Sequence, residues 1–439
     1  MDWITAGGPK VNKPENRLRD DIWSEIGAKN STPVPAFTQE SFFRKKVTYN
    51  RLTYLQHMKE RAKLLFLIPH LGGGGAERVT ALYLRNLCPQ KYDLHLGLIT
   101  QSFANPETIP THVLVHGLDS PRVRGAAFRL LALVWSVQPD LILSGMAHLN
   151  FLVLMLRPFF PIKTRMLVRQ NSTVSASLAF DQLPWYTGLL YKRLYRHADR
   201  IACQTQAMAD DLSRRMGIRR EKRSCLIAVT PNPIDIVAIR VAVQAPQQQE
   251  DPVDTGPGPH FLAVGRLACE KGFELLLRAL SLVRQEFPCA ELTILGSGPE
   301  EAPLKRLARV LNLESSTHFA GYVETPSVYF SHATAFLLSS YHEGLPNALL
   351  EAAAAGLPLI VTPSSPGVVE LLAGRPGVWI AEAITAEALA ASMRSALLAL
   401  NPGQRFPHPF VEQFGLARSI GVYEALIDTL LATARGKRV

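Results

Sequence analysis

The chain has 439 residues, is 47% hydrophobic and 19% charged, and carries 47 Lys and Arg against 37 Asp and Glu, a formal net charge of +10. That is a globular profile with apolar material for two or three domains, and it excludes collagen-like, disordered and disulfide-scaffold chains. The positive excess points to nucleic acid or an anionic membrane surface as partner, or simply to solvated helix faces.

Cys88, Cys203, Cys225, Cys269 and Cys289 are odd in number and form no C-x-x-C pair. Neither a disulfide framework nor a Cys-type zinc site is expected, and a reducing cytosol is the natural setting. The opening MDWITAGGPK has no hydrophobic signal core. The most apolar runs, such as 151–156, are broken by Arg157 and Pro158 well short of the ~18 residues a transmembrane helix needs.

Residues 1–60 read as a basic, polar extension, partly disordered. Residues 1–63 hold twelve Lys and Arg against seven acids, so half of the net charge sits there. Residues 42–58 mix aromatics with Arg44, Lys45, Lys46 and Arg51, which fits a surface helix or an interfacial amphipathic one. Two further basic clusters follow, Lys192, Arg193, Arg196 and Arg200, then Arg214, Arg215, Arg219, Arg220, Lys222 and Arg223.

From Lys63 short apolar runs alternate with helical stretches. LLFLIP (64–69) precedes a helix over 75–87. DLHLGLIT (93–100) and HVLVHGL (112–118) precede one over 122–137. DLILSG (140–145), TRMLVRQ (164–170) and RIACQT (200–205) continue the series, each with a helical segment after it. Residues 242–259, rich in Pro, Gln, Gly and acids, read as a linker. The alternation resumes with HFLAVG (260–265), ELTILG (291–296), THFAG (317–321), AFLLSS (335–340), LPLIVT (357–362) and GVWIA (377–381). Helices over 385–399 and 410–433 close the chain. Strands alternating with helices predict two doubly wound parallel α/β domains, with the site in the cleft between them. The expected division is 61–241, the linker 242–259, a second domain 260–415, and a C-terminal helix 416–439 packing back on the first domain.

The loops at the strand ends carry the chemistry. Leu71-Gly72-Gly73-Gly74-Gly75-Ala76-Glu77-Arg78 joins the first strand to a helix, where free N–H groups favour an anion. It is not a dinucleotide fingerprint: the sixth position is Glu77 or Arg78, and the second strand ends in Ile99-Thr100-Gln101 without the ribose-binding acid. No P-loop Gly-Lys-Ser/Thr occurs. In Gly265-Arg266-Leu267-Ala268-Cys269-Glu270-Lys271-Gly272, two cations flank a strand end and a helix start, which suits a diphosphate. Gly296-Ser297-Gly298-Pro299-Glu300 makes the next turn. In Ser339 to Ala352, Glu343 precedes a helix opened by Pro346 and Glu351 lies in its second turn. Two carboxylates there suit vicinal hydroxyls of a sugar and a ribose, and the N–H groups of Gly344 and Leu345 suit a further oxygen. A plainly capped helix is the simpler alternative.

Glu343 and Glu351 within EGLPNALLEAAAAGLP resemble the signature of retaining glycosyltransferases of the GT-B fold, family four. GRLACEKG resembles that family's donor-diphosphate pair, ILGSGPEEAPL its next loop and GGGGAER its N-terminal glycine loop. ADRIACQTQAMADDL and TPNPIDI are similar as well. The resemblance covers about residues 64–430 and implies two Rossmann-like domains facing across a cleft. It implies catalytic roles for Glu343 at the donor sugar and for Arg266 and Lys271 at the leaving diphosphate. Glu351 would hold the ribose, Tyr322 would lie near the base, and Gly73, Gly74 and Gly75 would sit against diphosphate and acceptor. Gly298, Gly344, Leu345 and Asn347 complete the donor-binding set. Many members carry a His just after the strand at 164–169; here Gln170 or Asn171 stands in that place. His148 is the expected substitute, with Asn150, Arg169 and Asn171 as further acceptor contacts.

The expected activity is transfer of a sugar from a UDP- or GDP-sugar to a glycan or lipid-linked acceptor, for polysaccharide or glycolipid synthesis. No cofactor or metal is expected, since no D-x-D motif occurs and Arg and Lys replace the ion. The alternatives are a nucleotide-sugar epimerase or hydrolase, or a degenerate binding module. The aromatic and cationic segment 185–196 suggests contact with an anionic membrane surface. The expected place is cytoplasmic, peripheral at the inner face of the plasma membrane. Nucleic acid is not an expected partner, because no motif of that class occurs.

Overall fold

A computed structural model of the chain describes residues 61–72, 74–100, 109–180, 183–218, 226–245 and 258–435. The expected extension over 1–60, Gly73, most of the second basic cluster, Cys225, the body of the linker and the last four residues lie outside them.

The apolar runs form two parallel sheets. The first holds β1 (Ala62–Ile68), β2 (Tyr92–Leu98), β3 (Leu114–Gly117), β4 (Leu141–Ser144), β5 (Arg165–Gln170), β6 (Arg200–Cys203) and β7 (Ile227–Val229), in the order β3-β2-β1-β4-β5-β6-β7. The second holds β8 (His260–Val264), β9 (Glu291–Leu295), β10 (Thr317–Gly321), β11 (Ala335–Leu338), β12 (Leu359–Val361) and β13 (Val378–Ile380), in the order β10-β9-β8-β11-β12-β13. This is the expected doubly wound α/β architecture. In each sheet the strand order reverses once, at β1/β4 and at β8/β11, and crevices for ligands open outside the carboxyl ends there.

Helices cover both faces. In chain order they are α1 (Gly75–Asn86), α2 (Ala127–Val137), α3 (Ala147–Leu156), α4 (Val174–Phe180), α5 (Thr187–Leu194), α6 (Gln206–Met216) and α7 (Ile236–Gln244). Then come α8 (Phe273–Val283), α9 (Glu301–Val310), α10 (Ser327–Phe330), α11 (Asn347–Ala354), α12 (Pro366–Leu372), α13 (Ala386–Ala399) and α14 (Leu416–Arg435). Along β1, Leu65 and Leu67 enter one core while Leu64, Phe66 and Ile68 enter the other, as strand alternation requires. Among the described residues, no helix is long and apolar enough to cross a membrane.

Two elements tie the halves together. Ile420, Tyr423, Ile427 and Leu430 of α14 join the core on one face of the first sheet, where Tyr423 stacks on Tyr83 with ring centroids 4.0 Å apart. In the other direction, Ile236, Ile239 and Val243 of α7 pack with the core of the second sheet. The expected boundary at residues 241 and 242 therefore falls inside a helix that belongs to the second sheet's core. Asp235 starts it by accepting the Ala238 N–H at 3.0 Å.

Candidate active site

The two sheets present their carboxyl ends to one cleft of about 1590 Å³. Its walls come from the loops after β1, β4, β5 and β6 on one side and after β8, β9, β10 and β11 on the other. The loops at both reversal points, 69–75 with 145–148 and 265–271 with 339–346, are thus set opposite one another.

The loop after β8 is held against the loop after β11. Ser339 Oγ donates to the Lys271 carbonyl at 2.9 Å, and the Tyr341 N–H donates to the Glu270 carbonyl at 2.9 Å. Gly272 has φ +60, and a Cβ on it would meet the Ser339 carbonyl oxygen at 2.3 Å, so only glycine fits this turn. The consequence is an ionic node. Lys271 Nζ lies 2.6 Å from Glu343 Oε1, and Ser340 Oγ donates to the same oxygen at 2.6 Å. Glu343 is buried, so the carboxylate is fixed by two charge-assisted or short bonds rather than by water. Arg266 stands nearby on the surface and pairs with Glu270 at 2.6 Å. Burial tends to raise the Glu270 carboxyl, but its own backbone N–H and Arg266 outweigh burial and hold it below the usual range.

Glu351 is placed differently from Glu343. It is buried in the body of α11, behind the cleft wall rather than on it, and it meets Arg78 of α1. Burial raises its carboxyl above the usual value, an effect that Arg78 only partly offsets. The pairing runs between the two halves of the chain, as do four others. Asn347 donates to the Gly75 carbonyl at 3.2 Å and accepts from Asn232 at 2.5 Å. Thr173 Oγ1 donates to the Glu343 carbonyl at 3.3 Å. Gln204 Oε1 accepts the Leu345 N–H at 2.9 Å. A Cβ on Gly344 would meet the Asn171 carbonyl oxygen at 2.3 Å, so the two halves touch backbone to side-chain-free backbone there. His342 stacks on Phe180 across the same seam, with ring centroids 5.6 Å apart.

Most of the expected site residues gather here. Glu343, Arg266, Lys271, Gly344, Leu345, Asn347, Gly298, Tyr322, Gly74, Gly75, His148, Arg169 and Asn171 all line the cleft. Four expectations are corrected. The Leu345 N–H is not open to a ligand, because Gln204 takes it. Asn150 is fully buried; it donates to the Arg169 carbonyl at 2.9 Å and to Tyr195 Oη at 3.0 Å, and so supports β5 instead of touching an acceptor. Arg169 is buried and donates to Tyr83 Oη at 2.9 Å, to Asn171 and to Asn232, so its fork is engaged by the protein. The Asn171 side chain donates to the Gly145 carbonyl and accepts from Arg169 and Gln204. Of the four acceptor-side expectations only His148 keeps an exposed side chain on the cleft. The cleft walls and then His70 hold its imidazole below the ordinary value, which favours the neutral ring.

Sequence reasoning passed over Arg78, Gln204 and Asn232. Arg78 carried a local signal: a cation in the first turn of a helix opposes the dipole and needs a partner. Gln204 and Asn232 carried only the weaker one of polar residues just past strand ends. Among the described residues no three His, Cys, Asp or Glu side chains gather as a metal site.

Residues 246–405 match the family described as Glycosyl transferases group 1, and residues 74–232 match the Glycosyl transferase 4-like domain. An uncharacterised glycosyltransferase of Methanocaldococcus jannaschii is 27% identical over 250 residues, 56% of this chain and 61% of that protein, so the chain spans about three fifths of this relative's length. The N-acetylgalactosamine-N,N'-diacetylbacillosaminyl-diphospho-undecaprenol 4-alpha-N-acetylgalactosaminyltransferase of Campylobacter jejuni is 29% identical over 321 residues, 70% of this chain and 83% of that protein. The crystal structure of Anabaena HepE in complex with UDP and glucose superposes with a TM-score of 0.69 at 16% identity, covering 84% of this chain and 100% of that one.

Proposed function

Because the chain belongs to the glycosyltransferases of the GT-B fold, with family four fitting its N-terminal match, we propose that it moves a sugar from a nucleotide-sugar donor onto a glycan or lipid-linked acceptor, retaining the anomeric configuration, in polysaccharide or glycolipid synthesis. The observation that carries this reading is the node of Lys271, Glu343 and Ser340, set in the cleft opposite the glycine loop.

In this reading the donor diphosphate lies by Lys271 and Arg266. The Lys271 ammonium has three N–H donors and Glu343 holds one, so donors remain for phosphate oxygens. Two fixed cations stabilise the charge that develops as the sugar C1–O bond to the diphosphate breaks, and they do so without a metal ion. Glu343 accepts from the sugar's hydroxyls; Glu351, held by Arg78 behind the cleft wall, accepts from those of the ribose only by sharing or leaving Arg78, with Tyr322 near the base. Gly74, Gly75, Gly298, Gly344 and Asn347 let backbone and amide approach the donor. The acceptor hydroxyl attacks C1 on the face the diphosphate leaves, and its proton passes to the departing phosphate oxygen. No carboxylate nucleophile is needed for retention by that route. The donor is a UDP- or GDP-sugar; HepE, which shares the fold, was solved with UDP. The diphospho-undecaprenol in the name of the Campylobacter relative supports a lipid-linked acceptor. The enzyme then works in the cytoplasm, peripheral at the inner face of the plasma membrane.

The test is thermal stabilisation of the purified chain by UDP, GDP, ADP and dTDP in the presence of a chelator, since a ligand that binds only the folded state raises Tm. A shift with one of them is expected. No shift with any at millimolar concentration overturns the reading, and donor turnover without an acceptor would point to an epimerase or hydrolase instead.

A further inference from the structure

The helices on one face of the first sheet turn an apolar surface outward. Helices α2 and α3 pack together and bury Leu130, Val134, Leu149 and Val153 in one core. Their outer sides do not follow the usual polar pattern. Phe128 is 85% exposed and Ile162, just past α3, is 101% exposed. Trp135, Met155 and Phe159 are more than half exposed, and Trp135 Nε1 donates to the Phe159 carbonyl at 3.0 Å, which joins the two helices at the surface. Helix α3, AHLNFLVLML, has no Asp, Glu, Lys or Arg. His148, Leu152 and Met155 follow at steps of four and three along α3, so they share one side, and its His148 end opens into the cleft; Phe159 lies in the 3-10 turn, Arg157–Phe159, that follows. Helix α5 packs beside α3 and is preceded by Trp185, 90% exposed.

Cations outnumber acids around this surface, where Asp199 pairs with Arg157 and Arg165 and Asp140 lies 4.0 Å from Lys163. Residues 121–197 carry ten Lys and Arg against two acids, Asp140 and Asp181. Arg122, Arg124, Lys163, Lys192 and Arg193 are exposed. Nucleic acid would meet the cations but leave the exposed hydrocarbon and indole side chains among them in water. A second copy would bring two like-charged surfaces face to face, which costs association energy. Apolar knobs interspersed with Lys and Arg match the boundary layer of an anionic bilayer, where rings enter the headgroup region and cations meet phosphates.

We propose that this face, centred on Phe128, Trp135, Met155, Phe159 and Ile162 with Trp185 at its side, docks the protein on an anionic bilayer. The stripe along α3 then delivers a headgroup from the membrane plane to the cleft at His148. That last step rests on the lipid-linked acceptor proposed above, whereas the docking itself does not.

The experiment is co-sedimentation of the full chain with vesicles, without donor or acceptor. One set is phosphatidylcholine with about one third phosphatidylglycerol and the other phosphatidylcholine alone. Binding to the anionic set is expected, weakening as salt rises from about 0.1 M to about 0.5 M. The combined variant Phe128→Ser, Ile162→Ser and Trp185→Ser should partition on the order of ten-fold less or weaker still. These side chains are almost wholly in solvent, so the variant should keep its Tm, which is measured alongside. Failure of the parent chain to bind anionic vesicles overturns the proposal. So does a variant that binds as the parent does, which would assign binding to another part of the chain. A parent dimer that the variant loses would give the face to a second copy and also overturns it. A parent chain that binds anionic vesicles yet, in a separate assay with donor, transfers no sugar to a lipid-linked acceptor would instead count against the acceptor reading alone.

Discussion

Arg78 and Glu351, 273 residues apart, meet as fork and carboxylate: Nη2 lies 3.2 Å from Oε1 and Nη1 donates to Oε2 at 3.4 Å. The carboxylate is buried and the guanidinium is 38% exposed, so solvent screens one side of the pair. The bond therefore acts as a clasp between the glycine-loop helix and the helix of the second carboxylate. A ribose arriving at Glu351 must share that carboxylate with Arg78 or displace it.

The pair has a pH signature. Burial raises the folded pKa of Glu351 above its usual 4.5, so folding takes up a proton between the two values. Stability from this group is thus fullest below the unfolded pKa and falls as pH rises through the window. Arg78 narrows the window by lowering the folded value. In Arg78→Gln the window widens upward, and the buried charge loses its partner once ionised. Breaking a fully buried pair costs about 3–5 kcal/mol, and screening here reduces that to about 1–2 kcal/mol near pH 7.5. Near pH 5 the loss should be smaller, because Glu351 can stay neutral. Urea unfolding at the two pH values checks this, and an equal loss at both would refute it.

Gly344→Ala should open the cleft more than it destabilises the fold. The added Cβ would lie 2.3 Å from the Asn171 carbonyl and 3.0 Å from Gln204 Oε1, both in the other half of the chain. Within one core such overpacking costs about 1–3 kcal/mol. Here the halves can separate, at the expense of the seam's few hydrogen bonds. A larger radius of gyration in small-angle scattering is expected, with transfer lowered at least about ten-fold by the lost alignment. An unchanged radius together with full activity would show that the contact is not needed.

Gln204→Leu keeps the shape of the side chain and removes the acceptor of the buried Leu345 N–H. An unsatisfied buried donor costs about 1–3 kcal/mol. Gln204→Glu retains an acceptor oxygen at the same reach but gives up the donor to Asn171 and buries a charge, so it should recover only part of that loss, and more of it at low pH, where the carboxyl is neutral. Paired urea titrations distinguish the two; identical losses would mean that the hydrogen bond is not the reason for the residue.

What was legible in the sequence follows from distance along the chain. Strands buried on both faces need unbroken apolar runs, so LLFLIP, DLILSG and AFLLSS declared themselves. β7 did not, because three residues, Ile227–Val229, make no run. Helix α7 was read partly as linker because it ends where the Pro- and Gln-rich stretch begins. The loops carrying Lys271, Glu343 and the glycines could be placed, since strand order alone puts them at carboxyl ends. Partnerships across the cleft, such as Gln204 with Leu345 or Asn232 with Asn347, leave no local period to detect. Asn150 shows the limit within one loop. In SGMAHLN it resembles His148, yet two residues further along a helix turn it into the core while His148 stays on the cleft.

The Lys271–Glu343 pair separates binding from chemistry. Glu343→Gln keeps the size of the side chain and a carbonyl oxygen for Lys271 and Ser340, but removes the charge that orders the sugar's hydroxyls. Transfer should be abolished while nucleoside-diphosphate binding is nearly intact. Lys271→Ala removes a charged donor from the diphosphate and should weaken that binding by about 1.5–3 kcal/mol. It also leaves Glu343 buried with Ser340 alone, so part of its cost is loss of order at Glu343 rather than loss of a phosphate contact. The double variant measures that part. Because the two side chains touch at 2.6 Å, their effects should be non-additive by at least about 0.5 kcal/mol in a thermodynamic cycle read by calorimetric binding. Additive losses would mean that Lys271 acts on the diphosphate independently of Glu343, and normal turnover by Glu343→Gln would remove that carboxylate from the chemistry altogether.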